Sequence, residues 1–175
     1  MGPCVATGHL LLSRTGHLRC RATRAWRYRE GRPGAKAANE VWAMDLMSDQ
    51  LFDGRPIRIL TIVDIHTREG HTSTPRASFR AAQVVEVLDH WAHLNKVEID
   101  FSRPGKPTDN AFIEAFNARL RAECLNASWF LSPADARARI EEWRQHYNEE
   151  RPHSALGNLT PRAFANQAEQ ARKIA

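Results

Sequence analysis

The sequence is poor in paired thiols, in long apolar runs and, near its start, in acidic charge. Its three cysteines, Cys4, Cys20 and Cys124, are an odd number with no CxxC spacing. That pattern argues against a disulfide framework and against a zinc site. No apolar run approaches the roughly 20 residues that a membrane helix needs. Leu10 to Leu12 is the longest early apolar stretch; it is shorter than a signal-peptide core and follows no basic residue. The expectation is a cytoplasmic protein with no membrane partner. No internal repeat, Gly-rich phosphate loop or Ser/His/Asp constellation is evident.

What is present fits one folded domain. A chain of 175 residues can bury roughly 70% of its unfolded surface. Hydrophobic residues make up 42% and charged residues 26%, close to ordinary soluble usage. The net charge of +5 is unevenly spread. Residues 1–40 hold eight basic side chains against Glu30 and Glu40, a net +6, which leaves the remainder at −1. The basic character therefore belongs to an arm, expected to be disordered. Such an arm suits a polyanion, most simply nucleic acid, or is an Arg-rich leader with no specific partner.

A globular pattern begins at Val41. Residues 41–47 alternate, with Trp42, Met44 and Leu46 on one face and Val41, Ala43, Asp45 and Met47 on the other. Asp53-Gly54 signals a turn, and Ile57 to Ile65 reads as a central, β-branched strand completing an antiparallel hairpin. Residues 66–75 are polar and irregular, at best a weak third strand. Apolar residues at helical spacing predict a helix over 78–96. Val97 to Phe101 alternates like a short strand. Thr108 or Asp109 can cap a helix to about Leu125, with Ile113, Phe116, Leu120 and Cys124 as its buried stripe. Ser132-Pro133-Ala134-Asp135 opens a helix to about Glu149 with a capping box, and Thr160-Pro161 repeats the signal. The predicted order is strand, strand, helix, strand, helix, helix: an α/β fold with a small mixed sheet flanked by helices. The expected division is an arm at 1–40, a core at 41–165 and a helical tail at 166–175.

Two acids stand in suggestive places, Asp45 inside the first strand and Glu114 in the first turns of the helix after the Pro-Gly-Lys-Pro loop. Carboxylates converging from strand and helix suit Mg²⁺, a hard cation that takes oxygen ligands. Two such ions can stabilise an in-line displacement at phosphorus. Asn117 and Arg121 follow Glu114 at three and seven residues, on one helical face. That line suits a DNA backbone, or is a solvated polar stripe. His66, His71, His90 and His93 lack a convincing further metal-ligand set. Trp91, Trp129 and Trp143 read as core or interface packing rather than base-stacking platforms.

Four motifs occur in order: Trp42-Ala43-Met44-Asp45; Leu60-Thr61-Ile62-Val63-Asp64; Arg103-Pro104-Gly105-Lys106-Pro107-Thr108-Asp109-Asn110-Ala111-Phe112-Ile113-Glu114-Ala115-Phe116-Asn117; and Tyr147-Asn148-Glu149-Glu150-Arg151-Pro152-His153-Ser154-Ala155-Leu156. Over roughly residues 40–165 the chain resembles the catalytic core of bacterial insertion-sequence transposases of the DDE type, relatives of retroviral integrase. The resemblance implies a ribonuclease H-like fold that cuts and joins DNA ends through two Mg²⁺ or Mn²⁺ ions. It implies that Asp45 is the first metal-binding acid and Glu114 the last. Arg121 matches the basic position expected to hold the transposon end. Arg151 and His153 match a C-terminal signature, read as mainly structural with a DNA contact as the alternative.

The chain departs from that pattern in the middle. The family's second aspartate lies in an Asp-Asn-Gly-like motif, and no acid between Asp45 and Glu114 is followed by Asn-Gly. Helix 78–96 reads as a fusion of two family helices, with perhaps two dozen residues and a central strand lost between them. The expectation is an incomplete ribonuclease H-like fold with weakened metal binding, inactive or nearly so unless Glu86 or Asp89 reaches Asp45. Residues 1–40 show no helix-turn-helix pattern, which leaves non-specific, salt-sensitive DNA contact and a nucleoid-associated location. Three readings follow: an active transposase; a non-catalytic fragment that binds DNA, itself or a full-length transposase; and a pseudogene product without a role.

Overall fold

The computed structural model describes residues 11–12, 35–95, 97 and 111–174. The strand expected at Val97–Phe101, apart from Val97, lies outside the described residues, as does most of the basic arm. Three long strands form: β2 (Trp42–Gln50), β3 (Pro56–Asp64) and β4 (Gly70–Arg76), with a two-residue strand β1 (Leu11–Leu12) beside β2. The sheet order is β1-β2-β3-β4 and every described pair is antiparallel. The expected mixed sheet is therefore not what the described residues build. Short turns join β2 to β3 and β3 to β4, and short turns connect antiparallel neighbours. Helices α1 (Ala81–Asn95), α2 (Ala111–Leu120), α3 (Pro133–Glu149) and α4 (Pro161–Ile174) follow. A π turn at Arg121–Leu125 extends α2. Residues 166–174 belong to the helix that starts at Pro161.

The hairpin register follows the alternation in the sequence. Trp42 opposes Asp64, Asp45 opposes Thr61, and Gln50 opposes Pro56. Gly54 takes φ 82° at the turn, a conformation glycine adopts without strain. The two faces of β2 and β3 then bury separate clusters. Ala43, Met47, Ile57, Ile59 and Val63 pack against Ile113, Phe116 and Leu120 of α2 and against Ile140, Trp143 and Tyr147 of α3. Trp42, Met44, Leu60 and Ile62 pack against Val87 and Leu88 of α1 and against Val97. Helices thus cover both faces, α2 and α3 on the Asp45 side and α1 on the other.

Strand β4 is a full, largely buried strand where only a weak one was expected. His71, Thr72 and Ser73 are buried although their side chains are polar. Helix α3 locks its first residue. Asn148 Oδ1 accepts from Gly70 N, Asn148 Nδ2 donates to Gly70 O, and Arg144 Nη1 donates to the same carbonyl at 2.7 Å. Gly70 also lets the Phe116 ring approach: a Cβ there would stand 2.8 Å from Phe116 Cε2. The cap of α3 is as the sequence predicts. Ser132 Oγ accepts from Asp135 N, Asp135 Oδ2 accepts from Leu131 N, and Pro133 fills the first turn.

Two stability predictions follow. Gly70→Ala forces a fully packed ring to move and should cost about 1–3 kcal/mol, read as a lower urea midpoint with an unchanged m-value. The second concerns His71, whose ring lies between Trp42 and Trp91 with centroids at 4.4 and 5.8 Å. Burial first, then the charges of Arg144 and Arg162, hold its pKa down at about 3, from 6.5. The unfolded chain therefore binds the extra proton between these values, and stability falls as pH drops through that window. At pH 5 the loss attributable to His71 is about 2 kcal/mol. Denaturant melts at pH 7.5 and 5 should show that loss in the wild type and not in His71→Leu.

Candidate functional site

Asp45 sits mid-strand on the face covered by α2. Its backbone neighbour Leu46 donates N–H to Oδ1 at 2.8 Å. Asn117 Nδ2 donates to Oδ2, also at 2.8 Å. The other end of that amide, Asn117 Oδ1, accepts from the Thr61 hydroxyl at 3.0 Å, and Thr61 is the cross-strand partner of Asp45. Asn117 was expected on the DNA-facing side of the helix. It is instead only 7% exposed, and both ends of its amide are taken within the protein. Glu114 lies one turn earlier on α2 and is exposed. Side chains three apart on a helix have Cβ atoms about 5–6 Å apart, so Glu114 stands on the Asp45 side. Arg121 continues the line, and its Nη2 donates to Ser48 O of β2 at 2.9 Å. Glu114, Asn117 and Arg121 thus run alongside β2 from Asp45 to Ser48.

Among the described residues no other acid joins this pair. Glu86 and Asp89 lie on α1, which packs on the opposite face of the sheet, and Glu86 is within 3.8 Å of Arg76. The Asp89 or Glu86 substitute left open by the sequence is not brought to Asp45. Asp64 also belongs to the other face and is spent on the turn after β3. Its oxygens accept from the backbone N–H groups of Asn39, His66 and Thr67. Burial pushes its pKa up while those bonds pull it down, and the net direction is up. Asp49 shares the Asp45 face but is four residues further along the strand, about 13 Å away. Asp100 and Asp109 lie outside the described residues. Among the described residues no group of three His, Cys, Asp or Glu side chains could hold a metal ion. Two carboxylates, one with both oxygens already hydrogen-bonded, do not supply the bridging donor that a two-ion site needs.

Arg151 and His153 are placed elsewhere. Arg151 Nη1 pairs with Glu123, which also accepts from Trp143 Nε1. Burial alone would raise the Glu123 pKa, but the bonds from Arg151 and Trp143 hold it below the usual value. His153 turns its ring edge to Tyr147, with centroids 5.0 Å apart. Burial, then the charges of Arg119, Arg151 and Arg68, lower its pKa. Trp143 is buried and Trp91 packs against the α1-side cluster. Trp129 is 72% exposed, edge-on to the exposed Phe52, and so is not core.

Residues 95–161 match the integrase core domain family. The chain is 42% identical over 159 residues to the uncharacterized 31.7 kDa protein of insertion element IS407 from Burkholderia multivorans, covering 76% of this chain and 57% of that protein. It is 37% identical over 153 residues to the uncharacterized 39.2 kDa protein of insertion element IS476 from Xanthomonas euvesicatoria, covering 73% and 44% respectively. It is 34% identical over 82 residues to transposase InsF for insertion sequence IS3fB from Escherichia coli, covering 45% and 28%. No solved structure matches. The chain is thus similar to proteins encoded by insertion elements, and it matches part of an integrase core domain. It spans about half the length of the IS407 and IS476 proteins. Among the described residues no helix is long and apolar enough to cross a membrane.

Removing the amide tests how the site is held. Asn117→Ala strips a donor from Asp45 and an acceptor from Thr61 in one step. It should cost about 1–3 kcal/mol, measured by thermal or urea unfolding. Asn117→Asp, which sets a carboxylate against Asp45, should be destabilised more at pH 7 than at pH 4.

Proposed function

We propose that this chain is a DNA-binding transposase core whose strand-cutting chemistry is impaired, because Asp45 and Glu114 lack a middle acid. The carrying observation is the pairing of Asp45 with the Asn117 amide on the face away from α1. Two carboxylates can hold one Mg²⁺ weakly, but charge stabilisation in an in-line transfer is a large term and most of it is forfeited. In this reading the fold is ribonuclease H-like and short of a central strand beside β2. In support, β1 meets β2 only at Trp42 and Ala43, and no other described strand lies along that edge. Asn117 positions Asp45, and Arg121 offers a guanidinium to DNA. The open β2 edge also favours the non-catalytic reading, in which the chain associates with a full-length transposase by strand pairing.

Labelled duplex ends incubated with Mg²⁺ or Mn²⁺ test this. Wild type, Asp45→Ala and Glu114→Ala should all cut at the background level while wild type retains salt-sensitive DNA binding. Metal-dependent cleavage by wild type that both variants lose would overturn the impairment.

A further inference from the structure

Helix α2 has a second polar flank. Phe112 and Arg119 are seven residues apart, within about 20° of each other around the helix and nearly opposite Glu114. Arg68, held at φ 63° in the turn after β3, lays its guanidinium carbon 3.5 Å from the centroid of the Phe112 ring. Its Nη1 is buried and has no hydrogen-bond partner among the described residues. The Nε2 of His153 is in the same condition. Its ring is already fixed against Tyr147, and its backbone N–H is taken by Leu159 O. Arg119 is exposed and makes no ion pair among the described residues. Arg151 has Glu123 as its counter-ion. Asp64 also faces Arg68, but its oxygens are occupied by backbone donors.

We infer that Arg68, Arg119, Arg151 and His153 form a seat for one backbone phosphate of DNA on the flank of α2 opposite Asp45. The inference rests on the DNA-binding reading above and adds a second contact surface to it. Three guanidiniums with one ion-paired carboxylate, Glu123, leave an excess of positive charge. Arg68 Nη1 is a desolvated, idle donor, which is costly unless an anion completes it, and His153 adds a second donor in the tautomer that carries its proton on Nε2. The same three arginines bear on both Tyr147 and His153, so their charges converge on this spot. A planar guanidinium stacked on an aromatic ring is pre-organised for a phosphate oxygen.

The test uses the full chain and a 30-base-pair duplex of arbitrary sequence, with affinity followed across a salt series. Arg119→Gln is the primary variant, because Arg119 is exposed and unpaired and its loss leaves the fold intact. It should weaken binding roughly three- to tenfold at low salt and reduce the slope of log K against log salt by about 1. Arg68→Gln should act in the same direction. Duplex binding should also shift the His153 ring resonances, and inorganic phosphate at the same ionic strength should shift them more weakly. Wild-type binding with both variants unchanged in affinity and slope would overturn the seat and leave the DNA-binding reading standing. A His153 shift with inorganic phosphate but none with duplex would overturn the assignment to DNA. Absence of any duplex binding at low salt would overturn both.

Discussion

Asn117 lies where α2 crosses the β2–β3 pair, and its amide reaches both strands at once. One end donates to Asp45 on β2 and the other accepts from Thr61 on β3. The apolar stripe of Ile113, Phe116 and Leu120 gives α2 its adhesion to the sheet, but hydrophobic contact is non-directional. A buried amide has fixed donor and acceptor ends, and misplacing it leaves several polar groups unpaired. It therefore sets the height and rotation of α2. The side of α2 that Glu114 shares with Asn117 and the bond from Arg121 to Ser48 O are consequences of that one registration. So is the opposite orientation of Phe112 and Arg119.

Much of this was legible in the sequence because its alternation is clean. The odd and even residues of β2 and β3 sort into the two observed clusters, and the Ser132 cap and the α2 stripe are where periodicity predicts them. Strand β4 was not legible because its burial is polar. Thr72 and Thr74 satisfy one another at 2.7 Å, and Asn148 closes Gly70 from α3. The first is a local bond between polar side chains and the second is tertiary, and neither leaves a hydrophobic pattern. Asn117 was misjudged for a similar reason: its type and spacing match a wet polar stripe, and only the position of Thr61 on a neighbouring strand makes burial tolerable. Trp129 is the converse, a residue type that suggests core placed on an exposed loop.

The motif order carries the resemblance to the family, but it does not say whether the acids converge. That question is decided by strand alternation. Asp45 shares its face with Ala43 and Met47, whereas α1 approaches through Trp42 and Met44. No rotamer of Glu86 or Asp89 passes through a sheet. Among the described residues the count of acids therefore overstates the carboxylates available to Asp45, and the proposed loss of function rests on that geometric shortfall.

The π turn after Leu120 reconciles demands that an α-helix cannot meet together. Leu120 and Leu125 are both buried, at 0% and 5% exposure. In α geometry five residues leave them about 140° out of phase, so one would face away from the core. A bond from Asn126 N to Arg121 O spans five residues at 2.8 Å, which places Leu125 about one turn on from Leu120. The widened turn begins at Arg121, whose guanidinium reaches Ser48, and contains Glu123, which turns to Arg151 and Trp143 on the other flank. A regular helix would have to give up either the second leucine or one of these polar contacts. The irregularity is thus the local cost of seating one helix with an apolar stripe between two polar flanks.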